Sequence, residues 1–157
     1  MKYYDVKIEI PIHSRIKYEM DKKTGEIRVD RYLKTPIPYP FNYGYFPNTL
    51  AKDNDPLDAI LLISEPLVPG CIIECEIIGG IEMIDGNQED HKIYVIPKKS
   101  MGFKCEHMVK NNIICSQFEK EIRFFLESYK TLENKTVKLG KSLTKEESIK
   151  IYQDSLL

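Results

Sequence analysis

Apolar residues alternate with charged ones from Asp5 to Pro11 through Val6, Ile8 and Ile10, a period of two that predicts a first strand. Two further runs, Lys17 to Asp21 and Glu26 to Leu33, flank the turn cluster Lys22-Lys23-Thr24-Gly25 and read as a hairpin. From Thr35 to Asn48 the alternation gives way to Pro, Tyr, Asn and Gly. Tyr39, Phe41, Tyr43, Tyr45 and Phe46 in that stretch must bury area somewhere, so it reads as an ordered aromatic loop. Ala59 to Ile63 is a short apolar strand ended by Glu65-Pro66 and Val68-Pro69-Gly70. Cys71 to Asp85 alternates over a long span with a bulge or bend at Gly79-Gly80, and His91 to Pro97 supplies another strand.

Helical spacing comes late. Ser116-Gln117-Phe118-Glu119 has the form of a capping box, followed by Phe118, Ile122, Phe125, Leu126 and Tyr129 on one face. Thr144-Lys145-Glu146-Glu147 repeats the signature ahead of a shorter helix ending near Leu156. The expected class is α+β: a small five-stranded OB-like antiparallel β-barrel with two helices packed outside it.

No linker, repeat or low-complexity tract divides the chain, so a single domain over residues 1–157 is expected. With 42% hydrophobic and 30% charged residues it falls among soluble globular proteins. A net charge of −1 provides no general pull toward nucleic acid or an anionic membrane. Glu74, Glu76 and Glu82 interrupt the longest apolar run, Cys71 to Ile84, which excludes a membrane span there. The strand pattern begins too early to leave room for a targeting peptide, so a cytoplasmic location is expected. Cys71, Cys75, Cys105 and Cys115 form no CxxC pair. They read as reduced thiols, with Cys105-Glu106-His107 lacking the second pair a zinc site needs.

The chemistry concentrates in Asp53-Asn54-Asp55-Pro56-Leu57-Asp58, three carboxylates within six residues. Charges this dense repel one another unless a cation lies between them, and oxygen-only ligands favour a hard divalent ion. On its own the hexapeptide also suits a solvated acidic turn. It is not an EF-hand, which would need an oxygen ligand at Leu57, Gly at Asp58 and Glu at Ser64. Nor does it follow an apolar strand as an aspartyl-phosphate nucleophile usually does, because Asn48 to Lys52 is loop chemistry. The strand patterns carry further charge at Glu9, Lys17, Glu19, Arg31, Asp85, Asp90 and Lys92, and Tyr129-Lys130 closes the long helix.

Taken together these residues resemble the soluble inorganic pyrophosphatases of the first family, prokaryotic type. The signature Asp-x-Asp-Pro-hydrophobic-Asp stands at Asp53 to Asp58. Around it, in order, are Glu9-Ile10-Pro11, Lys17-Tyr18-Glu19, Val29-Asp30-Arg31, Tyr39-Pro40-Phe41-Asn42-Tyr43-Gly44-Tyr45 and Tyr129-Lys130. Asn54 stands where many relatives have Gly, the N-terminus is compact, and one residue fewer separates Glu9 from Lys17 than in some relatives.

The resemblance implies Mg²⁺-dependent hydrolysis of pyrophosphate to two orthophosphates by direct attack of a metal-activated water, with several ions per site. It implies that Asp53, Asp58 and Asp90 hold the tightest metal, Asp58 also reaching a second. Asp85 and Asp90 would serve a substrate-borne ion, and Glu9 and Glu19 another. Asp55 would be the general base and Tyr43 would orient it, while Lys17, Arg31, Lys92, Tyr129 and Lys130 would grip the phosphoryl groups. It further implies a homo-oligomer, a hexamer as in bacterial relatives, with no nucleic-acid or membrane partner. Charge counting agrees: seven carboxylates against four cations leave an empty site negative, so cations are needed before anionic pyrophosphate can enter. An oligonucleotide-binding module is the competing reading for such a barrel, and it would need a basic groove with stacking aromatics.

Overall fold

A computed structural model describes residues 1–157. In chain order the strands are β1 Tyr4–Ile10, β2 Ile16–Met20, β3 Ile27–Tyr32, β4 Asn42–Tyr45, β5 Asp58–Leu61 and β6 Ile72–Asp85. They continue with β7 Gln88–Glu89, β8 Lys92–Pro97, β9 Val109–Lys110 and β10 Ile113–Ile114, then helix α1 Ser116–Ser128. Strand β11 Val137–Leu143 and helix α2 Lys145–Ser155 end the chain.

The main sheet runs β1-β4-β5-β8-β6, and β1 also pairs with β6, so these five strands close into a ring. Four of the five ring pairings are antiparallel and one, β5 with β8, is parallel. Alternation alone cannot reveal direction, because the period of two is the same in both ladders. Strands β5 and β8 are buried along nearly their whole length, which is why Ala59 to Ile63 reads as a continuous apolar run. One set of their side chains, Ala59, Leu61, Ile93 and Val95, joins Val6 and Ile8 of β1 and Ile73 and Ile77 of β6. The alternate set, Ile60, Leu62, Tyr94 and Ile96, packs with Phe118, Ile122, Phe125 and Leu126 of α1.

Close backbone approaches demand glycine at two places in this ring. A Cβ on Gly44 of β4 would lie 2.0 Å from the Lys7 carbonyl oxygen of β1, and one on Gly80 would lie 2.7 Å from that of Lys92. The expected irregularity at Gly79-Gly80 is present as a register shift between Ile77 and Gly79 opposite β8.

Several expectations are corrected. The β2–β3 hairpin pairs only with itself and lies off the ring, so the charges of Lys17, Glu19 and Arg31 are not on barrel strands. The aromatic stretch instead contributes a ring strand, β4, whose Gly44 and flanking aromatics hide it from a period-two reading. The aromatics do bury: Tyr39, Phe41, Tyr45 and Phe46 are all core residues. Helix α1 is capped at Cys115 with no side-chain cap, and Ser116 is its first helical residue. The Thr144 box is formed as expected, its hydroxyl accepting from the Glu147 N–H while the Glu147 carboxylate accepts from the Thr144 N–H. Strand β11, which extends the sheet beside β6, has too little apolar alternation to be seen in advance.

Candidate active site

One cavity of about 370 Å³ opens between the β2–β3 hairpin, the acidic loop, the end of β6 and the C-terminal end of α1. All thirteen residues singled out from the sequence line it. Glu9 comes from β1, Lys17 and Glu19 from β2, Arg31 from β3 and Tyr43 from β4. Asp53 and Asp55 lie on the acidic loop, while Asp58 and Lys92 begin the two parallel strands β5 and β8. Asp85 ends β6, Asp90 lies between β7 and β8, and Tyr129 and Lys130 follow α1.

The acidic loop is shaped by its own residues. Asn54 has φ 66°, in the left-handed region that glycine enters freely and asparagine tolerates. The Asp53 carboxylate accepts from the Asp55 N–H at 3.0 Å, closing an Asx turn. Thr49 anchors the far end, its hydroxyl accepting from the Leu57 N–H at 2.9 Å and donating to the Phe46 carbonyl at 2.6 Å.

At the bottom, one carboxylate oxygen each from Asp53, Asp58 and Asp90 lie within 4.8 Å of one another. The Lys92 ammonium, 2% exposed, sits 2.7 Å from Asp58 and 2.9 Å from Asp90. One internal cation does not balance three carboxylates. Burial pushes Asp58 up to about 8 even with Lys92 beside it, and burial with the neighbouring carboxylates pushes Asp53 up to about 6. Asp90 is opposed by burial too, but Lys92 and hydrogen bonds within the trio hold it down to about 2. Burial works against Lys92 as well, and its two carboxylate partners nevertheless raise it well above the ordinary lysine range. Burial lifts Glu9 to about 7, partly offset by the Met20 N–H that its carboxylate accepts at 2.8 Å and by Lys17. Carboxylates held this far from their ordinary range mark a place suited to added positive charge. Oxygen-only donors in this arrangement fit a hard divalent cation, with Asp53, Asp58 and Asp90 as its holders.

The remaining cations are also held by carboxylates. Lys130 pairs with Asp85, and Lys17 lies 3.7 Å from both Glu19 and Asp30. Arg31 reaches Asp30 at 2.5 Å and Glu133 at 2.9 Å. Desolvation, with Asp58 and Asp90 nearby, raises the half-buried Tyr43 well above the ordinary tyrosine value, and the Lys92 ammonium lies 5.4 Å from its ring centroid. Sequence reasoning missed Lys22, Asp30 and Glu133. Lys22 was read as turn chemistry, Asp30 is marked only by its place beside Arg31, and nothing in the sequence links Glu133 to Arg31.

A small closed barrel whose cavity gathers a carboxylate cluster, lysines and an arginine defines a protein with a site suited to phosphate chemistry. The sequence profile described as inorganic pyrophosphatase matches residues 6–156. Over 153 residues the chain is 40% identical to soluble inorganic pyrophosphatase 3 of Arabidopsis thaliana, covering 98% of this chain and 70% of that protein. It is 41% identical over 139 residues to the inorganic pyrophosphatase of Halalkalibacterium halodurans, covering 88% of this chain and 84% of that protein. The solved structure of the inorganic pyrophosphatase from Helicobacter pylori superposes with a TM-score of 0.91 at 35% identity, covering 98% of this chain and 91% of that one. The chain belongs to the inorganic pyrophosphatase family.

Proposed function

We propose that this chain hydrolyses pyrophosphate to two orthophosphates in a Mg²⁺-dependent reaction, by direct attack of water and without a covalent phosphoenzyme. The observation that carries this reading is the Asp53, Asp58 and Asp90 cluster in the same cavity as Lys17, Arg31, Lys92 and Lys130. Bound among these carboxylates, Mg²⁺ would offset their charge, polarise phosphoryl oxygens and lower the pKa of water toward neutrality.

The chain's own residues do the rest. Asp55 accepts the proton of the attacking water, and Tyr43 orients it. Asp85 with Asp90, and Glu9 with Glu19, would hold substrate-borne ions. Lys92 is paired with Asp58 and Asp90, and Lys130 with Asp85, so both ammonium groups would be free for phosphate oxygens if those carboxylates held cations. Arg31 offers a planar fork suited to bidentate contacts, and Tyr129 and Lys17 complete the grip. Such a transfer is in-line and mainly electrostatic, with positioned cations stabilising the leaving phosphate.

Phosphate release from pyrophosphate should require Mg²⁺ and stop reversibly on chelation. Full activity in metal-free buffer would overturn the reading. The oligonucleotide-binding alternative is disfavoured because Tyr39, Phe41 and Phe46 are buried in the core instead of being displayed for stacking. A gel shift with single-stranded DNA should show no complex. A cytoplasmic homo-oligomer, a hexamer on the likeness to bacterial relatives, belongs to the same proposal. Exposed Phe124 on α1 and Ile113 on β10 supply apolar surface for assembly. Light scattering should exceed the 18.3 kDa of one chain.

A further inference from the structure

The β2–β3 hairpin brings Lys17, Glu19 and Arg31 to the cavity, yet it shares no strand pairing with the ring. Its placement therefore rests on the packing of Tyr18 against the core and on individual polar contacts. Where β2 enters the turn, the Met20 N–H donates to the Glu9 carboxylate at 2.8 Å. At its tip the Lys22 ammonium lies 2.5 Å from Asp55 Oδ1 and donates to the Asn54 carbonyl at 3.0 Å.

The tip contact is specific in two ways. Its two acceptors are neighbours on the acidic loop, so one ammonium fixes both the backbone of the left-handed Asn54 turn and the carboxylate that follows it. It also meets the Asp55 carboxylate at Oδ1, 2.5 Å away, and so sets the rotation of that group. Packing does not put Lys22 there, since its side chain is 59% exposed.

We infer that Lys22 is a positioning residue of the reaction, latching the hairpin tip onto the acidic loop and holding Asp55 in the orientation from which it receives the water's proton. This inference rests on the proposed hydrolysis for its catalytic half only. A single solvent-facing ion pair is weak, so the latch can open for substrate and product and close between them.

The test compares wild type, Lys22→Met and Lys22→Arg. Amide hydrogen exchange in metal-free protein reads the hairpin, and steady-state kinetics with pyrophosphate and Mg²⁺ reads the chemistry. In Lys22→Met, amides of residues 16–32 should exchange faster while those of β5 and β8 stay as in wild type. The kcat should fall about tenfold to a hundredfold, the scale of a misplacement near 1 Å, with KM little changed. Lys22→Arg should restore most of both.

Unchanged hairpin exchange in Lys22→Met overturns the latch. A raised KM with kcat kept makes Lys22 a substrate-binding group and overturns the positioning role. Loss of protection across β5 and β8 as well means that the variant is globally destabilised. In that case Lys22→Arg decides: recovered stability without recovered kcat overturns the inference. If wild type does not hydrolyse pyrophosphate but the hairpin still loosens in Lys22→Met, the proposed function fails and the latch stands.

Discussion

Asp58 and Lys92 are register partners on the one parallel pair of ring strands, and their side chains meet at 2.7 Å with the lysine 2% exposed. The pair begins both strands, so the ladder that closes the barrel also fixes the relative height of a half-buried carboxylate and a buried ammonium. Asp90, two residues before Lys92, then completes a charge cluster that neither strand carries alone.

Replacing Lys92 with Met should destabilise the metal-free protein by up to about 3 kcal/mol, because it leaves the half-buried Asp58 and Asp90 without their internal cation. Mg²⁺ should recover part of that loss by taking the same oxygens. Urea unfolding of wild type and variant, each with chelator and with Mg²⁺, measures both effects. Equal stability of the two proteins in chelator would contradict the assigned role of the ion pair.

The pH dependence of metal-free stability follows from the raised carboxylates. Asp58 at about 8, Glu9 at about 7 and Asp53 at about 6 bind protons more tightly in the folded chain than in the unfolded one. Over that window the folded state holds more protons, so stability falls as pH rises from about 4 to about 8. Asp90, held down to about 2, acts oppositely and only below about pH 4. In chelator, the thermal midpoint should drop between pH 5 and pH 8, and Mg²⁺ should flatten the slope. A midpoint that rises over this range in chelator would count against the charge balance described.

Asp55→Asn keeps the shape of the acidic loop but removes a base. Loss of kcat should reach at least about 10²-fold, the range of general-base catalysis. Asp58→Asn, which removes a member of the carboxylate trio, should weaken Mg²⁺ binding more than Asp55→Asn does. Near-normal turnover in Asp55→Asn would move the base elsewhere.

Ca²⁺ should bind the same carboxylates and inhibit in competition with Mg²⁺. It sits about 2.3–2.6 Å from oxygen in loose geometry, whereas Mg²⁺ requires near-octahedral bonds at about 2.0–2.1 Å. The larger ion polarises water less and shifts the reacting groups apart. A Ca²⁺ titration at fixed free Mg²⁺ and pyrophosphate should lower the rate. A constant or rising rate would remove this support for metal-assisted attack.

Local order was legible in the sequence wherever it depends on neighbours along the chain. Alternation marks β1 and β6, His91 to Pro97 reads as a further strand, Lys22 to Gly25 marks a turn, and Thr144 with Glu147 marks a helix start. The dense carboxylates of Asp53 to Asp58 suggest a hard cation but suit a solvated acidic turn equally well when read alone. The resemblance of that segment and its flanks then marked all thirteen residues that line the cavity. What the sequence could not supply were relations set by ring closure between distant segments. These include the parallel direction of β5 and β8, the burial of Lys92, the hairpin lying off the ring, and β4 hidden in an aromatic stretch. Lys22 meeting Asp55 and Arg31 meeting Glu133 belong to the same group. Side-chain period reports which face a residue occupies, but the strand beside it is chosen by packing across the whole barrel, and only the tertiary structure contains that choice.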